Sequence, residues 1–327
     1  MTGCIKIVRI IAAGVFFCAV GLSPAAMAQP TKAKSPGEML RDAAAGADKP
    51  QKFVPATKEQ SDGAIADAKQ RAAEVEKAMG VQFGTIESAH FLIFTDWDKR
   101  EYDFLKSNCE GAYEAVSRQF EIPVKDNVFI GKLPVYMFAK HNVFTKFALE
   151  QDKFDVPENV AGYYQGNSLG FGHMVMWKPD VAAAKGNVRA AERDWAYTLT
   201  HEFTHAFVAR YRTNAFVPRW LNEGIAEVVA SRQFPRPFIY PFVRDRASKK
   251  KSIQDVFVDR GSLVAEDYPV VQTVVETMIS GNPKAFLPYF NDIKDGVKPD
   301  DALEKHFKTN PEGLEAAWRK YIVRAGK

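Results

Sequence analysis

DWAYTLTHEFTHAFVARYRTNAFVPRWLNEGIAEVVA, residues 194–230, decides how this 327-residue chain is read. Leu199, Phe203, Ala206 and Phe207 recur at helical spacing, so the first half reads as a helix with an apolar face turned to a core. His201 and His205 then stand one turn apart on the same face, and their imidazoles converge on one point. Random placement of the 6 His and 20 Glu of the sequence would give about 0.007 His-Glu-x-x-His motifs, so chance does not account for HEFTH. Pro218, with its fixed φ, opens a second helix through Arg219-Trp220-Leu221-Asn222-Glu223-Gly224. Two antiparallel helices joined by a short loop bring Glu223 opposite the histidines. Two His, one Glu and a position left for water form a catalytic zinc set, one ion per chain.

Glu202 lies about 100° around the helix from His201, so it flanks the metal instead of binding it. A general base belongs there, taking a proton from water and returning it to a leaving amine. Glu227, four residues after Glu223 on the same face, is placed to accept an N–H from His201 or His205. It is also the rival of Glu223 for the third ligand position. The competing reading of the whole constellation is a helix pair whose His and Glu make ordinary hydrogen bonds.

Outward from this stretch, the pattern toward the N-terminus alternates. A strand at 91–95, a helix at 99–120, a strand at 133–138 and a helix at 143–151 lead into a hairpin, 162–164 and 171–177, around a Gly/Asn/Ser turn. After Pro179 the strand signals stop, and helical periods cover 190–212, 219–232, 268–280, 284–294, 300–308 and 311–324. The expectation is an α+β fold: an α/β part, 61–188, bearing a mixed sheet and an edge-strand hairpin, then a mainly helical part, 189–327. A surface helix at 64–79 closed by Gly80 precedes the sheet. No fixed-period repeat is present.

Composition agrees with a globular chain: 46% apolar, 26% charged, 18 Pro and 21 Gly exclude collagen, a coiled coil and wholesale disorder. A net charge of +4 gives no reason to expect a nucleic-acid partner. Lys6 and Arg9, the apolar run Ile10 to Leu22 and Ala26-Met27-Ala28 read as a signal peptide, 1–28, cleaved after Ala28. A secreted or periplasmic protein without stable membrane insertion is expected. Cleavage removes Cys4 and Cys18 and leaves Cys109, read as a packed, inert thiol. Residues 29–60, rich in Pro, Lys, Ala and Gly, read as a flexible leader.

HEFTH followed by Trp220-Leu221-Asn222-Glu223-Gly224 resembles the gluzincins, zinc peptidases with a His-Glu-x-x-His helix and a Glu ligand on the next helix. The wider layout is similar to secreted bacterial proteins of the peptidase MA-like group. The resemblance implies a zincin-like fold, His201, His205 and Glu223 as zinc ligands, Glu202 as general base and Glu227 as a carboxylate behind a liganding histidine; it favours Glu223 over Glu227. Two departures stand out. Seventeen residues separate His205 from Glu223, fewer than in the aminopeptidase branch or thermolysin, which demands a tighter loop. The Gly-x-Met-Glu-Asn motif that holds a free amino terminus is missing, which favours an endopeptidase.

Tyr268 resembles, by position, the residue that donates a hydrogen bond to the oxyanion in such enzymes; the competing reading is a ring packed on the core with a wet hydroxyl. Tyr240 and His173 are further candidates. The hairpin offers an edge strand for an extended peptide, or is an ordinary sheet edge. The aromatic, proline-rich stretch 234–242 walls a cleft or caps the helix pair, and the cations at 244–251 are most simply a solvated run. The expected function is secreted, zinc-dependent hydrolysis of a peptide or protein substrate. Two alternatives are a zinc-containing protein that binds a peptide or envelope partner without cleaving it, and hydrolysis of a non-peptide amide.

Overall fold

The computed structural model describes residues 49–157, 160–167, 169–236, 239–249, 251–258 and 263–324. The expected signal peptide and the first part of the expected leader, 29–48, lie outside them. The protein is α+β, with one mixed five-stranded sheet and a mostly helical C-terminal part. No helix among the described residues is long and apolar enough to cross a membrane.

The first helix, α1 (Lys58–Met79), starts six residues before the expected position. Thr57 accepts from the Gln60 N–H while the Gln60 side chain accepts from Thr57, a reciprocal cap that fixes the start. Gly80, at φ 69°, ends it. Strands β1 (Gly84–Glu87) and β2 (Phe91–Thr95) follow, then α2 (Tyr102–Gln119), β3 (Leu133–Phe138), α3 (His141–Gln151), β4 (Gly162–Gly166) and β5 (Gly172–Trp177). Their order in the sheet is β1-β2-β3-β5-β4. The three central strands are parallel, and both outer strands run antiparallel to their neighbours.

β2 and β3 read as unbroken apolar runs because both faces are covered. Phe91, Ile93, Val135, Met137, Met174 and Met176 face the main core, which continues through the helical part to Trp318 and Ile322. Leu92, Phe94, Tyr136, Phe138 and Val175 face a second core closed by residues of α1 and α3. The sheet is the middle of three layers.

The helical part comprises α4 (Val188–Arg210), α5 (Arg219–Gln233), α6 (Ile239–Ser248), α7 (Gln254–Phe257), α8 (Tyr268–Gly281), α9 (Pro283–Lys294), α10 (Pro299–Phe307) and α11 (Pro311–Arg324). α4 lies against the main-core face of the sheet and is buried on nearly every side from Trp195 to Val208. Backbone bonds Trp177 N–H to Ala161 C=O (3.2 Å) and Asn167 N–H to Phe171 C=O (2.9 Å) set the parity of the β4–β5 hairpin. The amides of Gly162, Tyr164 and Gly166 therefore point away from β5, to the outer edge. Gly166 and Gly172 lack side chains where the Tyr164 ring lies: a Cβ on either would come within 2.5 Å of its hydroxyl oxygen.

Of the expected leader 29–60, residues 49–57 are tied to the turn after α4 and 58–60 belong to α1, whose start the Thr57 cap sets. Phe53 N–H donates to Arg212 C=O at 2.8 Å, and Asn214 N–H donates to Gln51 C=O at 3.1 Å. The Arg210 guanidinium stands 4.1 Å from the Phe53 ring centre and also donates to Val128 and Leu169 carbonyls.

Candidate metal centre

Asn187 caps α4 by accepting from the Ala190 N–H at 3.1 Å, and the helix then runs unbroken through HEFTH. It stops at Arg210. Arg212 takes a left-handed conformation (φ 61°), and the eight residues 211–218 return the chain. Lys294 holds this turn from beneath: its ammonium donates to Val208 C=O at 3.0 Å and Ala215 C=O at 3.2 Å, while the Thr213 hydroxyl donates to the Lys294 carbonyl. Pro218 stands just before α5 as its cap, at φ −50° and ψ 138°, so the tight loop expected from the seventeen-residue spacing is present.

α5 then packs on α8 at Gly224, where a Cβ would meet Val275 Cγ2 at 2.6 Å and the Val271 carbonyl oxygen at 2.7 Å. Such an approach admits only glycine. One residue earlier, Glu223 faces α4.

The result is a triangle of buried donor atoms. His201 Nε2 and His205 Nε2 are 3.1 Å apart, and Glu223 Oε2 lies 3.3 Å from the first and 3.4 Å from the second. Four-coordinate zinc with bonds of about 2.0–2.2 Å spaces its ligand atoms about 3.3–3.5 Å apart, close to these edges. Of the three converging atoms, Glu223 Oε2 is buried with no hydrogen-bond partner. An orphaned buried polar atom costs about 1–3 kcal/mol, so a carboxylate oxygen left unpaired where two imidazole nitrogens converge suits a cation. Among the described residues this is the group of His, Cys, Asp and Glu whose atoms come together closely enough to hold a metal ion.

Burial favours the neutral form of Glu223, yet His205 and His201 hold its pKa down at about 2. Burial also opposes charge on His201, but Glu223 and Glu227 outweigh it and raise the imidazole well above its ordinary value.

Glu202 points from α4 toward β4, where its Oε2 accepts the outward N–H of Tyr164 at 3.1 Å. Its Oε1 is buried without a partner. Burial raises the Glu202 pKa against the opposing pull of His201 and His205. One oxygen is thus anchored to the edge strand and the other has no partner.

Glu227 sits behind His201, not beside the three converging atoms. Its Oε1 is 3.1 Å from His201 Nδ1, off the axis of the ring N–H, and its Oε2 accepts from the Tyr197 hydroxyl. Tyr268 opens α8 half-buried, its ring centre 6.5 Å from that of His201. Burial, with Glu223 and Glu227 nearby, raises its hydroxyl pKa.

The other candidates lie elsewhere. His173 is on the opposite sheet face, its Nε2 2.9 Å from Asp152 Oδ2, and Tyr240 donates to Glu276 at 3.0 Å. Cys109 is fully buried, and burial raises its thiol pKa far above the ordinary value. In the basic run, Lys249 pairs with Asp245 at 2.6 Å and Arg246 with Asp267 at 3.4 Å. Sequence reading passed over two contributors, the Tyr164 amide and Tyr197. The second carried a signal, because Tyr197 is four residues before His201 and so shares its helix face. No protein-family model matches the chain and no curated protein matches it, so what this site does is argued from its own geometry.

Proposed function

We propose that the protein is a zinc-dependent peptidase of gluzincin type, with His201, His205 and Glu223 as metal ligands and Glu202 as general base. The observation that carries the reading is the donor triangle, 3.1–3.4 Å on each edge, with the half-anchored Glu202 carboxylate on the next position of the same helix. Zinc, when bound, polarises a carbonyl and makes water a stronger acid.

The chain's own residues do the rest. The Tyr164 amide fixes Glu202 Oε2, so Oε1 takes a proton from the attacking water and later returns it to the leaving amine. Burial helps by making the protonated form of Glu202 accessible. The outer edge of β4 offers the Gly162 and Gly166 backbone to an extended peptide, which recognises main chain before side chain. Tyr268 is the proposed donor to the oxygen that becomes negative. An endopeptidase fits the absence of an amino-terminus-binding motif, and the 1–28 segment suggests action outside the cytoplasm.

The test is Glu202→Gln. Elemental mass spectrometry of the purified protein is expected to find near one zinc per chain in both wild type and variant, and little in His201→Ala. Peptide-library cleavage should fall about 10²–10⁴-fold in Glu202→Gln. Equal cleavage by the two proteins would refute the base assignment. Zinc without any cleavage in wild type would favour the peptide-binding alternative.

A further inference from the structure

We propose that Tyr197 and Arg236 are positioning residues of the metal centre, fixing the Glu227 carboxylate behind His201 so that this imidazole presents Nε2 to the ion in one orientation. The inference rests on the metal-site reading above and concerns how that site is held.

The two ligand histidines are supported differently. Neither buried Nδ1 has a well-aligned hydrogen-bond partner, and what separates the two rings is the carboxylate beside one of them. His201 Nδ1 faces Glu227 Oε1 at 3.1 Å. A carboxylate beside the outer nitrogen of a liganding imidazole favours a proton on that nitrogen, and with it one tautomer that leaves the other nitrogen for the ion. Glu227 can confer that only if it is itself fixed.

A glutamate has three side-chain torsions to restrain, and Tyr197 supplies the restraint by donating its hydroxyl to the second oxygen, Oε2. Tyr197 lies one turn before His201 on α4, and Glu227 one turn after Glu223 on α5, so the contact also locks the two ligand-bearing helices in register. Tyr197 is only 3% exposed. The guanidinium of Arg236 covers its ring, with the central carbon 3.4 Å from the ring centre. Arg236 in turn stands 3.9 Å from Asp194, three residues before Tyr197. The stack is planar and cationic, which arginine provides and lysine does not. Asp194, Arg236, Tyr197, Glu227 and His201 thus form one connected file ending on a ligand.

The experiment measures zinc affinity by competition with a chromophoric chelator, using full-length wild type, Tyr197→Phe, Glu227→Ala and the double variant. Melting of each metal-free protein is recorded alongside. Tyr197→Phe keeps the ring and the Arg236 stack and removes one hydroxyl. We expect it to weaken zinc binding about 10-fold, within the range found for groups that orient ligands, with a fall in metal-free melting no larger than the loss of one hydrogen bond gives. In the Glu227→Ala background the same change should have no further effect, because Tyr197 acts through Glu227.

Affinity within twofold of wild type, or losses that add in the double variant, overturns the inference. A lowered metal-free melting point with unchanged affinity also overturns it, since that marks a purely structural tyrosine. If Tyr197→Phe does not fold, Arg236→Gln carries the same comparison, with weaker zinc binding expected and an unchanged affinity fatal. Wild-type protein that takes up no zinc, with His201→Ala no different, defeats the metal-site reading itself; wild type that binds and Tyr197→Phe that binds equally well defeats only the file.

Discussion

Lys294 carries its charge into the core, 1% exposed, against the carbonyls of Val208 and Ala215. Burial lowers its pKa from 10.5 to about 7. Below about pH 7 the folded and unfolded chains both hold the proton and the full cost of burying the charge is present. Between about 7 and 10.5 the unfolded chain retains a proton that the folded chain has released, so stability rises with pH. Relative to Lys294→Met, wild type should gain up to about 1.4 kcal/mol per pH unit across that window, read by urea unfolding at a series of pH values. A difference independent of pH would contradict the burial argument. At this scale sequence reading was uneven. The His201 and His205 pairing was legible because one helix and a four-residue spacing suffice to define it. The choice of Glu223 over Glu227 was not legible from spacing, since both lie on one face of α5, and the meeting of Tyr164 with Glu202 depends on residues 38 apart in sequence.

α5 reaches α4 at the depth it does because Gly224 lets it settle on α8. Gly224→Ala would gain up to about 1 kcal/mol of helix propensity. Its methyl would meet the Val271 carbonyl oxygen at 2.7 Å, and backbone in a packed helix does not yield as a side chain does. Overpacking of this kind costs about 1–3 kcal/mol, so the expected net effect is a lower melting temperature, together with weaker zinc binding as Glu223 is pushed off the triangle. A variant as stable as wild type would show that the α5–α8 contact is looser than drawn. Strong elements were readable: β2 and β3 fall at the expected residues, and α11 spans 311–324 as its period indicates. β1 was missed because four residues with one buried side chain, Ile86, carry too little pattern to stand out. α6 was hidden by prolines in the 234–242 stretch, yet Pro241 falls in the first turn, where a missing N–H removes no helical bond.

Across the whole molecule, the sheet and the helical part share one core running from Phe91 to Ile322. The segment 49–57 closes this assembly from outside by bonding to the turn between α4 and α5. Deleting residues up to 56, while keeping Thr57 to cap α1, should lower stability by about 2 kcal/mol through loss of the Phe53–Arg210 stack and two backbone bonds. Denaturant melts of the truncated and intact chains check this, and coincident curves would mean the segment is merely draped. The outer edge of β4 has a further consequence. An open strand edge is a template for the strand of any neighbouring molecule, and proteins that must keep one open are exposed to edge-to-edge aggregation. The Tyr164 amide, central among the three outward amides of β4, is already taken by Glu202. The edge is therefore closed at its centre: an intruding strand would have to displace a buried carboxylate before it could use the Tyr164 amide.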